Sequence, residues 1–181
     1  IKNVIVFSAG YKEIGPDGEK LETQLIDCAA KYQIHLLGPN CLGFINNLTP
    51  VNITFGQNAD LMGNLRFISQ SGAIAASMFD WCQSVGLGFS HFVTLGNKAV
   101  LNENDFLSYF LTNPSEASCE GGLSSVKPIG LYLESISNGQ EFLRLTSDIS
   151  RTNPVFIIKP GKTPAAVAAM QSHTGAIAGA D

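Results

Sequence analysis

The sequence predicts an α/β fold with a doubly wound parallel sheet. Two observations carry this prediction: short apolar runs alternate with longer segments of helical periodicity, and Gly, Pro or Asn residues close most of the runs. A strand that is followed by a helix and a parallel strand is the unit from which such sheets are built. Of the 181 residues 45% are hydrophobic and only 14% are charged, so the chain can bury a substantial core.

The N-terminal stretch predicts one strand–helix–strand unit. Residues 3–7 form a strand closed by Ser8-Ala9-Gly10, and residues 34–37 form a second strand closed by Gly38-Pro39-Asn40. The segment between them places apolar residues about one helical turn apart on one stripe: Leu21, Leu25, Cys28, Ala29 and Tyr32. We expect this unit to be the end of an α/β domain whose first part precedes it.

The hydrophobic periodicity lapses from about Asn46 to Asn64, where loop-forming residues are concentrated. We expect a domain boundary there, near residue 50. Residues 1–50 are then the C-terminal part of one domain, and residues 51–181 belong to a second domain, which is incomplete.

The second part of the chain predicts four more strands, separated by helices. The strands span residues 65–69, 89–95, 129–133 and 155–158, and the helices begin at Gly72, Asn102, Gly139 and Pro164. Residues 115–127 are polar and contain glycines, so they predict a surface excursion. The alternation as a whole is typical of a flavodoxin-like sheet.

The apolar residues of these helices predict which faces are buried. The helix that begins at Gly72 is expected to bury Ile74, Met78, Trp81, Cys82 and Val85. The following two helices are expected to bury Phe106, Phe110 and Leu111, and then Phe142, Leu145 and Ile149.

The composition argues against several classes of partner. A net charge of −4 and a pI near 5.3, without a basic stripe, argue against nucleic acid and against an anionic membrane surface. The cysteines are far apart and lack zinc spacing, which indicates free thiols and a cytoplasmic protein: Cys28, Cys41, Cys82 and Cys119. No cluster of Asp, Glu and His proposes a metal site, and no segment has the apolar length of a membrane span.

Polar and glycine residues follow the strands of the second part. They are Ser71-Gly72, Gly96-Asn97, Glu134 and Lys159-Pro160-Gly161. Ligands of open parallel sheets bind beyond the carboxyl ends of the strands, where these loops meet. We therefore expect a site at this edge of the sheet, with Gly96-Asn97 as a loop that can contact substrate.

The turn at Ser71-Gly72-Ala73 predicts an anion site. Amides at a helix N-terminus, aided by the helix dipole, bind phosphate without an arginine. The alternative is that Ser71 is only an N-cap and Gly72 a tight-packing residue.

His173 lies in a loop of small residues, Ser172 to Gly179, and is the candidate nucleophile. A neutral imidazole is abundant at pH 7 and can attack a phosphoryl group. Glu134 follows four apolar strand residues, and its carboxylate could accept a proton from one imidazole nitrogen and so orient the ring. The alternatives are a His173 that caps a helix or faces solvent, and a Glu134 that only complements a helix dipole.

Five segments, in this order along nearly the whole chain, carry a family resemblance. They are Lys12-Glu13 with Gly15 after Ser8-Ala9-Gly10, Leu36 to Gly43, Ile68 to Gly72, Leu131 to Glu134, and Ser172 to Ala176. Together they resemble the α subunit of nucleoside-diphosphate-forming acyl-CoA synthetases. These are the ADP-forming acetate–CoA ligases, which are relatives of succinyl-CoA synthetase.

The resemblance implies the tail of a Rossmann-like domain that binds coenzyme A, followed by a flavodoxin-like ligase domain. It implies that His173 is transiently phosphorylated, that Glu134 orients it, and that the helix start at Ser71-Gly72-Ala73 receives its phosphate. Gly10 and Asn40 are expected near CoA or the thioester.

The resemblance also implies partners. An ATP-grasp domain or β subunit would hold ATP or ADP and Mg²⁺ outside this chain, and the full-length protein would form an oligomer. The substrates would be a small carboxylic acid and CoA. The Gly-rich CoA loop would precede residue 1, and residues 115–127 are longer than the family needs.

Two other functions compete with this one. A non-catalytic, CoA-sensing module of a protein lysine acetyltransferase would share the fold without the phosphorylated histidine. A serine hydrolase would use Ser71, Glu134 and His173 in that chain order. Its nucleophile elbow requires Gly where Ser69 and Ala73 stand, which argues against it.

Overall fold

The first helix and the strands on either side of it form the N-terminal unit. The computed structural model describes residues 1–55, 61–113 and 126–161. Strands β1 (Asn3–Ile5) and β2 (His35–Leu37) pair in parallel on either side of helix α1 (Pro16–Tyr32). A short 3-10 helix (Lys12–Ile14) precedes α1. The predicted strand–helix–strand unit is confirmed.

The predicted apolar stripe of α1 is only partly buried. Ala29 is buried, but Leu21 and Tyr32 are half exposed and Cys28 is exposed. The buried residues of α1 are Gly18, Glu22 and Ala29. Gly18 lies against the backbone of Tyr11, and Glu22 contacts Lys12 and Asn97. The charged residue Glu22 is thus buried on α1, where the hydrophobic pattern predicted buried leucines.

Six strands form the large sheet, in the order β4-β3-β6-β5-β7-β8. Their bounds are β3 Gly43–Asn46, β4 Val51–Thr54, β5 Met62–Ser69, β6 Phe89–Thr94, β7 Ile129–Tyr132 and β8 Val155–Ile158. The last four are mutually parallel, as predicted, whereas β3 pairs antiparallel with both β4 and β6. The sheet is therefore mixed at one edge rather than wholly parallel.

The prediction of an irregular stretch between Asn46 and Asn64 is wrong for its first part. The Asn46 side chain accepts hydrogen bonds from the N–H groups of Leu48 (3.0 Å) and Thr49 (3.2 Å), and so turns the chain from β3 into β4. Asn and Pro are common in hairpin turns as well as in linkers. A boundary at residue 50 falls inside this hairpin.

Three helices cover the two faces of the large sheet: α2 (Gly72–Ser84), α3 (Glu103–Thr112) and α4 (Gly139–Ser150). Ile68 and Val93 pack with α3 and α4, while their neighbours Phe67 and Phe92 pack with α2. Successive residues of a strand point to opposite faces, which explains the division of the core into two layers.

The buried faces of α3 and α4 agree with the predictions. Leu107 and Phe110 are buried and Phe106 and Leu111 partly so on α3, and the predicted residues are buried on α4: Phe142, Leu145 and Ile149.

The buried face of α2 differs from the prediction. Of the expected residues only Cys82 is fully buried, and it shares the face with Ala75 and Phe79. Ile74, Trp81 and Val85 are exposed by 37%, 56% and 55%. The small Ala75 lets the helix approach the sheet closely, and Phe79 stacks on Phe89 at a centroid distance of 6.0 Å. The aromatic layer therefore fixes the rotation of α2.

Several predictions lie outside the described residues. They are the helix at Pro164, the loop with His173, Cys119 and nearly all of the 115–127 excursion. Within the described ranges, no helix is long and apolar enough to cross a membrane.

Candidate functional site

A cleft of about 510 Å³ opens at the carboxyl edge of the large sheet, against the N-terminal unit. Its walls include Phe7, Ser8, Lys12, Asn40, Cys41, Leu42, Phe55, Gln70, Ser71, Gly72, Ala73, Gly96, Asn97 and Glu134. Seven of the predicted site residues thus line one cleft, as the topology of a parallel sheet requires. His173 lies outside the described residues.

The start of α2 forms one wall of the cleft. Ser71 has extended backbone angles and is the N-cap, since its Oγ accepts a hydrogen bond from Ile74 N (3.4 Å). The first amides of a helix have no partner within it. Because Gly72 and Ala73 also line the cleft, the capping role and the anion-binding role are compatible.

Glu134 follows β7 and also lines the cleft, with 5% of its surface exposed. Gln70 holds its backbone: Gln70 Oε1 accepts from Glu134 N (2.9 Å) and from Ser135 N (3.0 Å). Burial and, secondly, the Glu134 carboxylate raise the pKa of Tyr132. The cleft therefore contains a buried carboxylate whose main chain is fixed from the neighbouring strand.

Asn97 connects the large sheet to the N-terminal unit. Its Nδ2 donates to Glu13 Oε2 (2.6 Å) and to Glu22 Oε2 (2.7 Å), and its Oδ1 accepts from Asn40 Nδ2 (3.3 Å). Both N–H bonds of this amide are therefore used inside the protein. Asn97 therefore has no free side-chain N–H for a ligand, and its role is to hold the residues around the cleft in place.

Glu13 stays ionised in this setting. Burial raises the pKa of Glu13, but hydrogen bonds from Asn97 and from the N–H groups of Gly10 and Tyr11 outweigh it, so the net pKa lies below its ordinary value. Gly10, predicted near CoA, is thus at the outer end of this network.

Lys12 carries the only positive charge on the described walls of the cleft. Its Nζ lies 3.1 Å from Glu22 Oε1 and donates to the carbonyl oxygen of Asn97. Lys12 and Glu13 entered the sequence analysis only through the family resemblance, and no sequence pattern indicated Glu22 as their partner.

Lys98 and Glu103 form a second polar cluster behind the cleft. Their side chains are 5% and 0% exposed, and Lys98 Nζ lies 2.9 Å from Glu103 Oε2. Lys98 Nζ also donates to Ser135 O (2.7 Å), and Glu103 Oε1 accepts from Ser137 N (2.6 Å). Burial lowers the pKa of Lys98, and the Glu103 carboxylate opposes that shift. Sequence reasoning missed this pair.

No group of three or more His, Cys, Asp and Glu side chains within 1–55, 61–113 and 126–161 could hold a metal ion.

The fold defines an α/β domain of the doubly wound class, with a cleft at the carboxyl edge of its sheet. Residues 62–181 match the family described as the succinyl-CoA ligase-like flavodoxin domain. The chain belongs to this family. The predicted fold class and the family resemblance are thereby confirmed.

Similar proteins extend the match over the whole chain. An ADP-forming acetate–CoA ligase I of Archaeoglobus fulgidus is 40% identical over 99% of this chain and 25% of its own length. An ADP-forming 4-hydroxybutyrate–CoA ligase of Nitrosopumilus maritimus is 40% identical over 100% and 25%. The α subunit of acetate–CoA ligase I of Pyrococcus furiosus is 34% identical over 100% and 37%.

A solved structure agrees with these relatives. The dinucleotide-forming acetyl-coenzyme A synthetase 1 of Ca. Korarchaeum cryptofilum, in complex with phosphate and ADP, superposes with a TM-score of 0.85 at 36% identity. The match covers 99% of this chain and 36% of that one. The chain thus spans between 25% and 37% of the length of these proteins.

Proposed function

We propose that this chain is the CoA-handling and phosphohistidine-carrying part of an ADP-forming acyl-CoA synthetase. The observation that supports it is the cleft, which brings Glu134, the start of α2 and the N-terminal unit together. A site for an acyl phosphate needs contacts for the acyl group on one side and for phosphate on the other, and these elements supply both.

The reaction has three reversible steps. A phosphate oxygen attacks the thioester carbonyl of acyl-CoA, so the acyl phosphate forms and the CoA thiolate leaves. A nitrogen of His173 then attacks phosphorus, and the carboxylic acid leaves. Finally ADP takes the phosphoryl group from His173 and becomes ATP.

Each predicted residue has a part in this proposal. Glu134 orients the His173 ring by accepting a hydrogen bond from the N–H of its other nitrogen. The amides of Gly72 and Ala73, beside Ser71, stabilise the phosphate at the positive end of the α2 dipole. Asn40 faces the thioester, and Gly10, Gly96 and Asn97 hold the junction in shape.

The division of the chain follows from hydrogen bonding. We propose that the N-terminal unit is the end of the CoA-binding domain and that the ligase domain follows it. We place the division before Gly43 rather than at residue 50, and the pairing of β3 with β6 supports this proposal. An ATP-grasp domain or β subunit would supply Mg²⁺ and nucleotide. The free thiols of Cys28, Cys41 and Cys82 suit a reducing, cytoplasmic setting.

Phosphate labelling of the full-length protein tests the function. One sample receives acetyl-CoA with radiolabelled phosphate, and another receives γ-labelled ATP. We expect an acid-labile label on His173 in both, and its loss in His173→Ala. The exposed His35 provides the matched control, since His35→Asn should keep both labels.

Two results would reject the enzyme. An acid-stable label would do so, and so would an equal label in His173→Ala. Binding of CoA without any label would instead favour the regulatory module of a lysine acetyltransferase.

A further inference from the structure

We propose that Lys98 is a positioning residue for the reaction, because with Glu103 it fixes the backbone that carries Glu134. This inference rests on the proposed function of Glu134. It gives a role to a buried ion pair that is not among the described residues lining the cleft.

The turn after Glu134 is held from two sides. On the strand side, Gln70 accepts the N–H groups of Glu134 (2.9 Å) and Ser135 (3.0 Å). On the far side, Lys98 Nζ donates a hydrogen bond to Ser135 O (2.7 Å), and Glu103 Oε1 accepts one from Ser137 N (2.6 Å). Gln70 Nε2 also donates to Ser135 Oγ (3.1 Å), so Gln70 holds the start of the turn, and the ion pair holds its far end.

The pair is closed to solvent. Lys98 and Glu103 expose 5% and 0% of their side chains. Burial of two charges costs about as much free energy as their attraction returns, and apolar replacements of such pairs are often neutral or stabilising. A contribution to stability therefore does not explain why this pair is present. Its hydrogen bonds to the neighbouring turn offer a more specific explanation.

The backbone of Lys98 supports the same conclusion. Its φ of +56° lies in the left-handed region, which non-glycine residues rarely adopt. This conformation follows Gly96, whose φ is +59°. The loop after β6 thus accepts an uncommon backbone, and Asn97 and Lys98 contact opposite sides of the loop: Asn97 the N-terminal unit and Lys98 the turn of Glu134.

The test separates positioning from stability with a charge-balanced variant of the full-length protein. Lys98→Met alone would leave Glu103 as an unpaired buried charge. Lys98→Met with Glu103→Gln removes both charges and keeps an oxygen for Ser137 N. We expect this double variant to melt near the wild-type temperature, while its amides at residues 134–137 exchange hydrogen about 10-fold faster or more.

The rate should follow the geometry. With acetyl-CoA and labelled phosphate, we expect the double variant to lower kcat for labelling of His173 by about 10-fold or more, with KM for both substrates unchanged. In a Glu134→Gln background the same double change should slow labelling no further, because its effect passes through Glu134. Lys20→Gln, on the exposed face of α1, is the matched control and should leave exchange and rate unchanged.

The outcomes distinguish this role from the proposed function. Unchanged exchange at residues 134–137, an unchanged kcat, or an equal slowing in the Glu134→Gln background overturns the role of Lys98 alone. A wild-type protein that takes no label from either donor overturns the proposed function and this role with it.

Discussion

Asn97 and Lys98 are neighbours in the chain, yet they belong to two polar clusters of different kinds. The junction cluster, Lys12, Glu13, Glu22 and Asn97, joins the N-terminal unit to the large sheet, and Lys12 in it is 36% exposed. The inner cluster, Lys98, Glu103, Ser135 and Ser137, joins the segments that follow β6 and β7, and its ion pair is buried.

The difference shows how one short loop serves two tasks. In the junction cluster a neutral amide bridges two carboxylates, and each carboxylate keeps another donor when the amide is removed. In the inner cluster a single ammonium faces a single carboxylate, and both side chains are almost fully buried. We therefore expect the inner cluster to be the more sensitive to substitution.

Glu103→Leu should have the largest effect, because it leaves the Lys98 ammonium buried and unpaired. Breaking one partner of a buried pair costs about 3–5 kcal/mol. Hydrogen exchange of the full-length protein, followed in peptides from the loops after β6 and β7, measures this loss. Recovery on adding Lys98→Met is expected, and a failure to recover would contradict the charge explanation.

Gly96→Ala should disturb both clusters at once. A Cβ at Gly96 would lie 2.7 Å from the backbone carbon of Asn40 and closer still to Pro39 O, at a φ of +59°. We expect a loss of about 3 kcal/mol in the free energy of unfolding. Gly86→Ala is the matched control, since Gly86 has a φ of +73° and open space around it. Its strain alone should cost about 1 kcal/mol, and equal losses would refute the role of the close approach.

Asn97→Leu tests the junction cluster. Glu13 and Glu22 each lose one donor but keep others, so we expect a loss of about 2 kcal/mol. The measurement is hydrogen exchange in peptides from the 3-10 helix and α1, compared with peptides from α4. A loss spread equally over both regions would argue against a local junction.

Glu13→Gln should have the smallest effect, and one that depends on pH. The pKa of Glu13 in the folded protein lies below its ordinary value of 4.5, so its ionised form stabilises the fold above that value. This contribution is lost as the pH falls through the folded pKa. The difference in stability between wild type and variant should therefore be constant near pH 7 and shrink below about pH 4.5. Urea titrations of wild type and variant near pH 7 and below about pH 4.5 measure this difference. A difference in stability that grows at the lower pH would contradict the prediction.

The sequence predicted the four parallel strands of the large sheet and the edge where the cleft lies. Residues 65–69 and 129–133 are apolar runs that end at polar residues, and topology then requires Ser71 and Glu134 to meet. The orientation of α2 was not predictable from hydrophobicity, because Trp81 is more apolar than Ala75 yet is exposed. Shape against the phenylalanine layer decides that helix.

The side-chain pairings in the two polar clusters could not be predicted from the sequence. Asn97 and Glu13 are separated by 84 residues, and a hydrophobic period carries no information on which amide meets which carboxylate. The hairpin was missed because Asn46 suits a linker as well as a turn. The roles of the predicted site residues remain predictions that the labelling experiments address.

The close approach at Gly96 also bears on how this protein could be recombined with its relatives. Asn97 N donates to Pro39 O (2.9 Å) and Ala99 N to Gly38 O (3.0 Å), so the segment that leaves the N-terminal unit is laced to the edge of the large sheet. That segment therefore holds the N-terminal unit in a fixed position against the large sheet and does not act as a flexible linker. A chimera that exchanges the N-terminal unit would have to take residues 38–42 and 96–99 from the same parent. The backbones of the two loops are hydrogen-bonded and in close contact, so their shapes must match.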